Sequence, residues 1–323
     1  MPSTIVNLLD RHPSAGLVVT PVPIVELSRL SALLGCQVYA LRDDLTGFGI
    51  GGNKVRKLDY LTGDAKRRGA DTLVTMKASS FSRNAAAACA AFNLELHVVL
   101  PGSPNDQNVA SQDLFETLDT CLHYAHDQQA TAVELAYDTL TDELKSAGKT
   151  VYELHPGGSD AIGALGYVQA FREITEYSAE TGVHFDHILH ATGSTGTQVG
   201  LMLGQHLSGY PTTITGVAVS QPADVQSGRV RDLAAVVSQQ FELDWDPDNL
   251  VVDDQYLGEG YAIPSAEAQS ASDLFARTEG LLLDDVYTAK AAAALVAYAQ
   301  DGRIGAAQNV LFIHTGGNAG IFY

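Results

Sequence analysis

Short apolar runs alternate along the chain with longer stretches in which apolar residues recur every three to four positions. The runs predict strands at Gln37–Leu45, Asp71–Met76, Leu94–Leu100, Thr120–Ala125, Val151–His155, His187–Thr192, Thr213–Ser220, Leu250–Asp254 and Asn309–Thr315. Between them lie helical patterns such as Val133, Tyr137, Leu140 and Leu144, spaced i, i+4, i+7 and i+11. Strand and helix in steady alternation predict an α/β chain with mostly parallel sheets covered by helices on both faces. In such folds ligands collect at the carboxyl ends of strands, where turns lead into helices.

The chain has 323 residues, 46% of them apolar and 18% charged, enough for two modest domains with a real core. No apolar run approaches the roughly 20 residues of a membrane helix. The N-terminal stretch has neither a basic segment nor a long apolar core, so it does not read as a signal peptide and a cytoplasmic protein is expected. A net charge of −19 argues against nucleic acid and anionic membrane partners. Within so acidic a protein, an anionic ligand needs its own electropositive pocket. Cys36, Cys89 and Cys121 form neither a metal spacing nor a disulfide framework and read as small core residues. His184, His187 and His190 sit on or before a strand, where His187 points opposite to the other two. No metal site is expected there.

Four turns stand out. The first is the glycine-rich stretch 47–52, which delivers Lys54 to the start of a helix. A lysine amine in apolar surroundings loses its proton readily and becomes a nucleophile fit for a Schiff base. The alternative is a surface lysine at a helix start. Gly47, Gly49 and Gly52 also spell a dinucleotide fingerprint, but the next strand ends in Lys77-Ala78-Ser79-Ser80 and not in the acid that would hold a ribose. The second turn, Ser79 to Asn84, precedes an alanine-rich helix; its serines suit capping, and free amides there also suit a carboxylate. The third is Gly157-Gly158-Ser159. The fourth, Thr192-Gly193-Ser194-Thr195-Gly196-Thr197-Gln198, has the small residues and hydroxyls of a phosphate cup without the lysine of a nucleotide P-loop. A phosphate cup beside a separate candidate Schiff-base lysine points to pyridoxal 5′-phosphate (PLP); a tight turn without a ligand is the alternative.

Gly51-Gly52-Asn53-Lys54-Val55-Arg56-Lys57-Leu58 resembles the PLP-lysine motif of the D-cysteine desulfhydrase and 1-aminocyclopropane-1-carboxylate (ACC) deaminase family. The likeness continues through Gly157-Gly158-Ser159, Gly163, Gly166-Tyr167, the cup, Gly260-Tyr261, Arg277 to Asp284, Val286-Tyr287-Thr288, and Leu311 to Gly317. The resemblance implies a fold-type II PLP enzyme of the tryptophan synthase β kind, with two three-layer α/β/α domains. The larger, PLP-binding domain would comprise residues 1–58 and 162–323, and a smaller mobile domain residues 59–161. A homodimer acting on a small amino acid is implied too.

By the same likeness, Lys54, Ser79, Tyr261 and Tyr287 are the catalytic candidates. Lys54 would carry the cofactor and move protons, and Ser79 matches the serine at the substrate carboxylate, a candidate proton relay. Asn53, Ser80, Gly193, Ser194, Thr195, Gly196, Thr197, Thr288 and Thr315 join Lys54 as candidate cofactor contacts. Ser79, Ser80, Phe81, Gly158, Tyr261 and Tyr287 are the candidate substrate contacts.

ACC deaminases place a glutamate where Thr288 stands and a leucine where Thr315 stands. A hydroxyl near the pyridine nitrogen supports a weaker electron sink than a carboxylate. Expulsion of a good β-leaving group should need less of a sink than opening a cyclopropane. The expected reaction is therefore α,β-elimination from D-cysteine or another 3-substituted alanine, giving pyruvate, ammonia and the leaving group. ACC deamination, cysteate desulfonation, racemisation and a PLP-binding protein with little catalysis are the alternatives. The chain departs from the family's Gln-Ser-Asn-His/Gln at Ala78-Ser79-Ser80-Phe81, and Asn84 stands where glutamine is usual.

Overall fold

The computed structural model describes residues 2–318; Met1 and residues 319–323, at the ends of the expected larger domain, lie outside the described residues. In chain order the elements are α1 (Pro2–Asp10), β1 (Ile24–Glu26), α2 (Ser28–Leu34), β2 (Gln37–Leu41), α3 (Asn53–Arg67), β3 (Thr72–Met76), α4 (Ser80–Phe92), β4 (Glu95–Leu100), α5 (Val109–Thr117), β5 (Cys121–Tyr124) and α6 (Ala130–Ser146). They continue with β6 (Val151–Glu153), α7 (Ala161–Thr181), β7 (His187–Thr192), α8 (Gly196–Ser208), β8 (Thr213–Ala218), α9 (Ala223–Phe241), β9 (Val251–Asp253), α10 (Ala266–Glu279), α11 (Thr288–Gln300) and β10 (Asn309–Ile313). Every expected strand is present, several of them shorter at the ends.

The strands form two sheets. Six make the order β1-β2-β10-β7-β8-β9 and four make β5-β4-β3-β6. All pairings are parallel except β1 with β2. Strand β2, from the start of the chain, pairs with β10, from its end, so the six-stranded sheet closes around the segment that holds the four-stranded one. Helix α3 runs unbroken across the expected boundary at residues 58 and 59.

The two-residue period of a strand gives each sheet two buried faces. In β2 and β10, Tyr39, Leu41, Leu311 and Ile313 join the core under α3, α7 and α8, while Val38, Ala40, Val310 and Phe312 join the core under α10 and α11. In the smaller sheet Val74 and Val99 pack on Val133, Tyr137 and Leu140 of α6. The opposite face, with Leu73 and Val98, meets the core that includes α4.

Helix α3 is held where it must be to present Lys54. Gly166 of α7 lets the helices touch backbone to backbone: a Cβ there would fall 2.3 Å from the Arg56 carbonyl oxygen. A buried charge network completes the clamp. Arg56 donates from Nε to Asp43 (2.7 Å) and from Nη1 and Nη2 to Glu173 (3.2 and 2.9 Å). Tyr167 donates its hydroxyl to Asp43, and the Val22 amide donates to Glu173 at 3.3 Å. The arginine, both acids and the tyrosine are buried, so the network is tolerable only because its charges and donors are matched.

Candidate active site

Four strand ends converge on one cavity. The turn after β2 supplies Ile50 to Gly52, β10 leads to Thr315, β7 leads to the cup, and β3 leads to the serines of α4. The turn after β6 backs the cup, where Ser159 Oγ accepts from the Gly196 amide at 3.4 Å. The cavity has a volume of about 770 Å³.

Asn53 opens α3 and its amide donates to the Thr315 carbonyl at 2.9 Å, which fixes the helix start against the C-terminal loop. Its side chain donates to Thr197 Oγ1 at 3.2 Å, tying the lysine helix to the cup. Lys54 lines the cavity, and its Nζ lies 3.2 Å from Ser194 Oγ. Burial lowers its pKa to about 8, because enclosing an ammonium without an acidic partner favours the neutral amine.

The cup begins α8. Thr195 has φ 68°, a strained conformation for a β-branched residue, and it opens α8, with Gly193, Ser194, Thr195 and Thr197 lining the cavity. Gly157 has φ 72°, and a Cβ there would meet Ser194 at 2.8 Å and Lys54 Nζ at 3.4 Å. A larger residue would fill the space between the amine and the cup.

Lys57 was not singled out in the sequence, yet it is fully buried beside the cup. Its Nζ donates to the Gly157 carbonyl at 3.2 Å and would sit 3.0 Å from a Cβ at Gly196. Burial first, then the nearby Lys54 charge, pushes its pKa well down, while Asp160 opposes. No carboxylate lies within ion-pair distance of it among the described residues. A buried lysine amine beside the start of α8 can donate to a phosphate held there.

Ser79 caps α4. Its Oγ accepts from the Ser82 amide at 3.3 Å and its own amide donates to Ser82 Oγ at 2.8 Å. Ser79 and Ser80 both line the cavity. Asn84 holds this helix to the glycine turn: it accepts from the Ile50 amide at 3.0 Å and donates to the Gly51 and Ser80 carbonyls at 3.1 and 3.0 Å. On the opposite wall Tyr261 and Tyr287 meet hydroxyl to hydroxyl at 2.5 Å, their rings edge to face. Burial, and then Tyr261, pushes the Tyr287 phenol up, so Tyr287 stays protonated at neutral pH.

Four expected contacts lie elsewhere. Gly196 is buried at the start of α8, its amide donating to the Ser194 carbonyl at 2.9 Å and to Ser159 Oγ at 3.4 Å. Phe81 is an apolar residue on the inward side of α4 and is buried in the core. Gly158 packs over it, where a Cβ would meet the Phe81 ring at 2.8 Å, so neither residue faces the cavity. Thr288 is fully buried with its hydroxyl spent on Asp284, donating to Oδ1 at 2.7 Å. Asp284 was not anticipated. It lines the cavity, but its carboxylate caps α11, accepting amides from Val286, Tyr287 and Thr288 at 3.1, 2.9 and 3.0 Å. Thr315 does line the cavity. The three histidines are dispersed: His187 contacts Gln308, His190 contacts the Ala191 carbonyl, and His184 packs on Tyr210.

Residues 16–316 match the sequence profile of the family described as pyridoxal-phosphate dependent enzyme. The chain belongs to that family. A D-cysteine desulfhydrase of Yersinia enterocolitica is 36% identical, over 99% of this chain and 98% of its own. A D-cysteine desulfhydrase of Serratia proteamaculans is also 36% identical, over 97% and 96%. Among solved structures, an ACC deaminase homologue superposes with a TM-score of 0.88 at 33% identity, covering 98% of this chain and 95% of that one. Threonine deaminase isoform 2 of Solanum lycopersicum shares the fold, with a TM-score of 0.70 at 17% identity over 97% and 83%. The architecture is fold type II, the cofactor is PLP, and the enzyme is a PLP-dependent lyase. Among the described residues no helix is long and apolar enough to cross a membrane.

The cavity fits that cofactor by its own chemistry. The cup and Lys57 suit the phosphate, and Lys54, whose ammonium gives up its proton more readily than an ordinary lysine, suits the aldehyde.

Proposed function

We propose that this PLP-dependent lyase carries out α,β-elimination on D-cysteine or a related 3-substituted alanine, releasing pyruvate, ammonia and the leaving group, which is hydrogen sulfide from D-cysteine. The observation that carries the reading is the meeting, in one cavity, of a lysine amine with a pKa near 8, a phosphate cup and a second helix start lined with serines. When bound, PLP supplies an electrophilic carbon and a sink for the electrons of the substrate Cα–H bond.

The chain's residues do the rest. Lys54 Nζ takes the proton from the substrate Cα. The α4 start, with the Ser79 hydroxyl, binds the substrate carboxylate through free amides and the positive end of the helix. The paired hydroxyls of Tyr261 and Tyr287 hold a proton at the opposite wall, within reach of a departing β-substituent. The smaller sheet lies within the expected mobile domain of residues 59–161, and closure of that domain over the substrate is part of this reading. So is a cytoplasmic homodimer, with the mass from light scattering as the check on its size.

Elimination is favoured over ACC deamination by the two desulfhydrase relatives and by Thr315, which lines the cavity where ACC deaminases carry leucine. Thr288 adds little to that choice, because Asp284 engages its hydroxyl. Pyruvate release measured with D-cysteine, L-cysteine, cysteate, β-chloroalanine and ACC should give D-cysteine a kcat/KM at least about tenfold above ACC, a gap of ~1.4 kcal/mol in transition-state stabilisation. A higher value for ACC overturns the choice of reaction; no pyruvate from any of the five overturns lyase activity on this class.

Ala78 and Ser80 are departures from the family pattern that line the cavity, and Ser80 stands where the asparagine is usual. A serine is shorter than the usual asparagine, and loss of a hydrogen bond to a charged cofactor oxygen costs about 1.5–3 kcal/mol. Ser80→Asn should therefore tighten PLP binding and re-rank the five substrates. Unchanged PLP affinity together with an unchanged ranking would show that position 80 sets neither.

A further inference from the structure

The four-stranded sheet carries a second cluster of reactive side chains, away from the cavity. Strand β4 sends Glu95 and His97, two residues apart, to the face that α6 covers. The parallel register sets Cys121 of β5 beside His97, and His123 beside Val99. His97 Nε2 lies 3.0 Å from Glu95 Oε1, and Cys121 Sγ lies 3.9 Å from the same oxygen. The carboxylate, imidazole and thiol ligand atoms all fall within 4.8 Å of one another. On its other side His97 Nδ1 is 2.9 Å from His123 Nε2. The second oxygen of Glu95 accepts from Lys149 Nζ.

We propose that Glu95, His97 and Cys121 form a binding site for a zinc-class divalent cation, with one water completing a four-coordinate shell.

Three observations support the assignment. Ligand atoms bound tetrahedrally to zinc, at bond lengths near 2.0–2.3 Å, stand roughly 3.3–3.7 Å apart. The observed 3.0 and 3.9 Å bracket that spacing for two of the ligand pairs and the third lies within 4.8 Å, so side-chain movement of about an ångström or less closes the shell. The donor set, one nitrogen, one sulfur and one carboxylate oxygen, suits zinc over a hard cation such as magnesium. The outer partner is already in place: with the proton on Nδ1, His97 donates to His123 and aims its Nε2 lone pair at the site, the arrangement that orients metal-bound histidines. The site is also reachable. His97 is buried, but Glu95 and Cys121 are only half-buried.

Coordination breaks the Cys121 S–H bond, releases that proton to solvent and forms the metal–sulfur bond; the metal is neither oxidised nor reduced. Glu95, paired with Lys149, already carries its charge. The bound cation would join β4 to β5, an outermost strand of the smaller sheet.

Cobalt(II) is the probe, because its visible bands report coordination number and lie to longer wavelength than absorption by the lysine-bound cofactor. Titration of the holoenzyme should give one equivalent of four-coordinate cobalt with a thiolate charge-transfer band. Cys121→Ser should remove that band and weaken binding at least tenfold, with turnover unchanged. His123→Gln keeps all three ligands and should weaken binding about 10- to 100-fold, the usual effect of losing an outer-shell partner. A wild-type spectrum of six-coordinate cobalt only, or a thiolate charge-transfer band that persists in Cys121→Ser, overturns the site.

Discussion

Lys54→Ala should abolish turnover, with a loss of at least about 10³-fold, while PLP still binds in the cup. Proton transfer by a placed side chain alone is worth 10²–10⁴-fold, and the same substitution removes the covalent tether. The groups that suit the phosphate, the start of α8 and Lys57, are untouched by the change. Two readouts separate chemistry from binding. Cofactor retained after gel filtration should persist, and the lysine adduct trapped by borohydride in the wild type should disappear. Lys57 makes this a sharp test, because a second buried amine stands close by with its own pKa pushed down. A borohydride-trapped lysine in Lys54→Ala would reassign the tether.

Arg56→Ala should cost about 3–5 kcal/mol of stability, because removing one partner of a buried ion pair strands the others. Here the stranded groups are two, Asp43 and Glu173, both buried, and among the described residues Arg56 is the cation in ion-pair contact with either. Arg56→Lys keeps the charge yet loses the fork that spans both acids, so most of the loss should remain. Denaturant midpoints at fixed PLP concentration measure both variants. A change below about 1 kcal/mol for Arg56→Ala would mean that the acids take up protons or water at little cost and that the network does not hold α3.

The parallel α/β plan was legible because strands buried on both faces leave unbroken apolar runs, as at His187–Thr192 and Thr213–Ala218. Strand β1 escaped notice. It has three residues, follows Pro21 and Pro23, and owes its conformation to antiparallel pairing with β2, a partner more than ten positions away. The run from Gln37 was expected to reach Leu45, but Asp43 turns inward to Arg56 and bends the chain into a short 3₁₀ turn. Lys54 and the cup could be read because glycines and hydroxyls at a helix start are local signals. Lys57 and Asp284 could not: one reaches the cup through burial among residues far along the chain, and the other looks like any acid before a helix. Cys121 was expected in the core. It is half-buried beside Glu95, a proximity created by strand register, which no spacing of residues along one strand reveals. Phe81 shows the reverse error, since a residue inside a functional-looking turn can still point into the core.

The crowding of α3 bears on how the enzyme's substrate range can change. Consecutive positions of one helical turn carry the reactive amine, a core residue in Val55, the Arg56 clamp and the buried Lys57. Nearly every substitution between 53 and 58 therefore injures folding and chemistry together, and a mutant library built there would contain mostly dead proteins. Ser80 and Tyr261 carry less structural duty: Ser80 opens a helix at the cavity edge, and Tyr261 is 54% exposed. Laboratory evolution toward new leaving groups should accumulate its changes on that wall and leave the lysine helix as inherited.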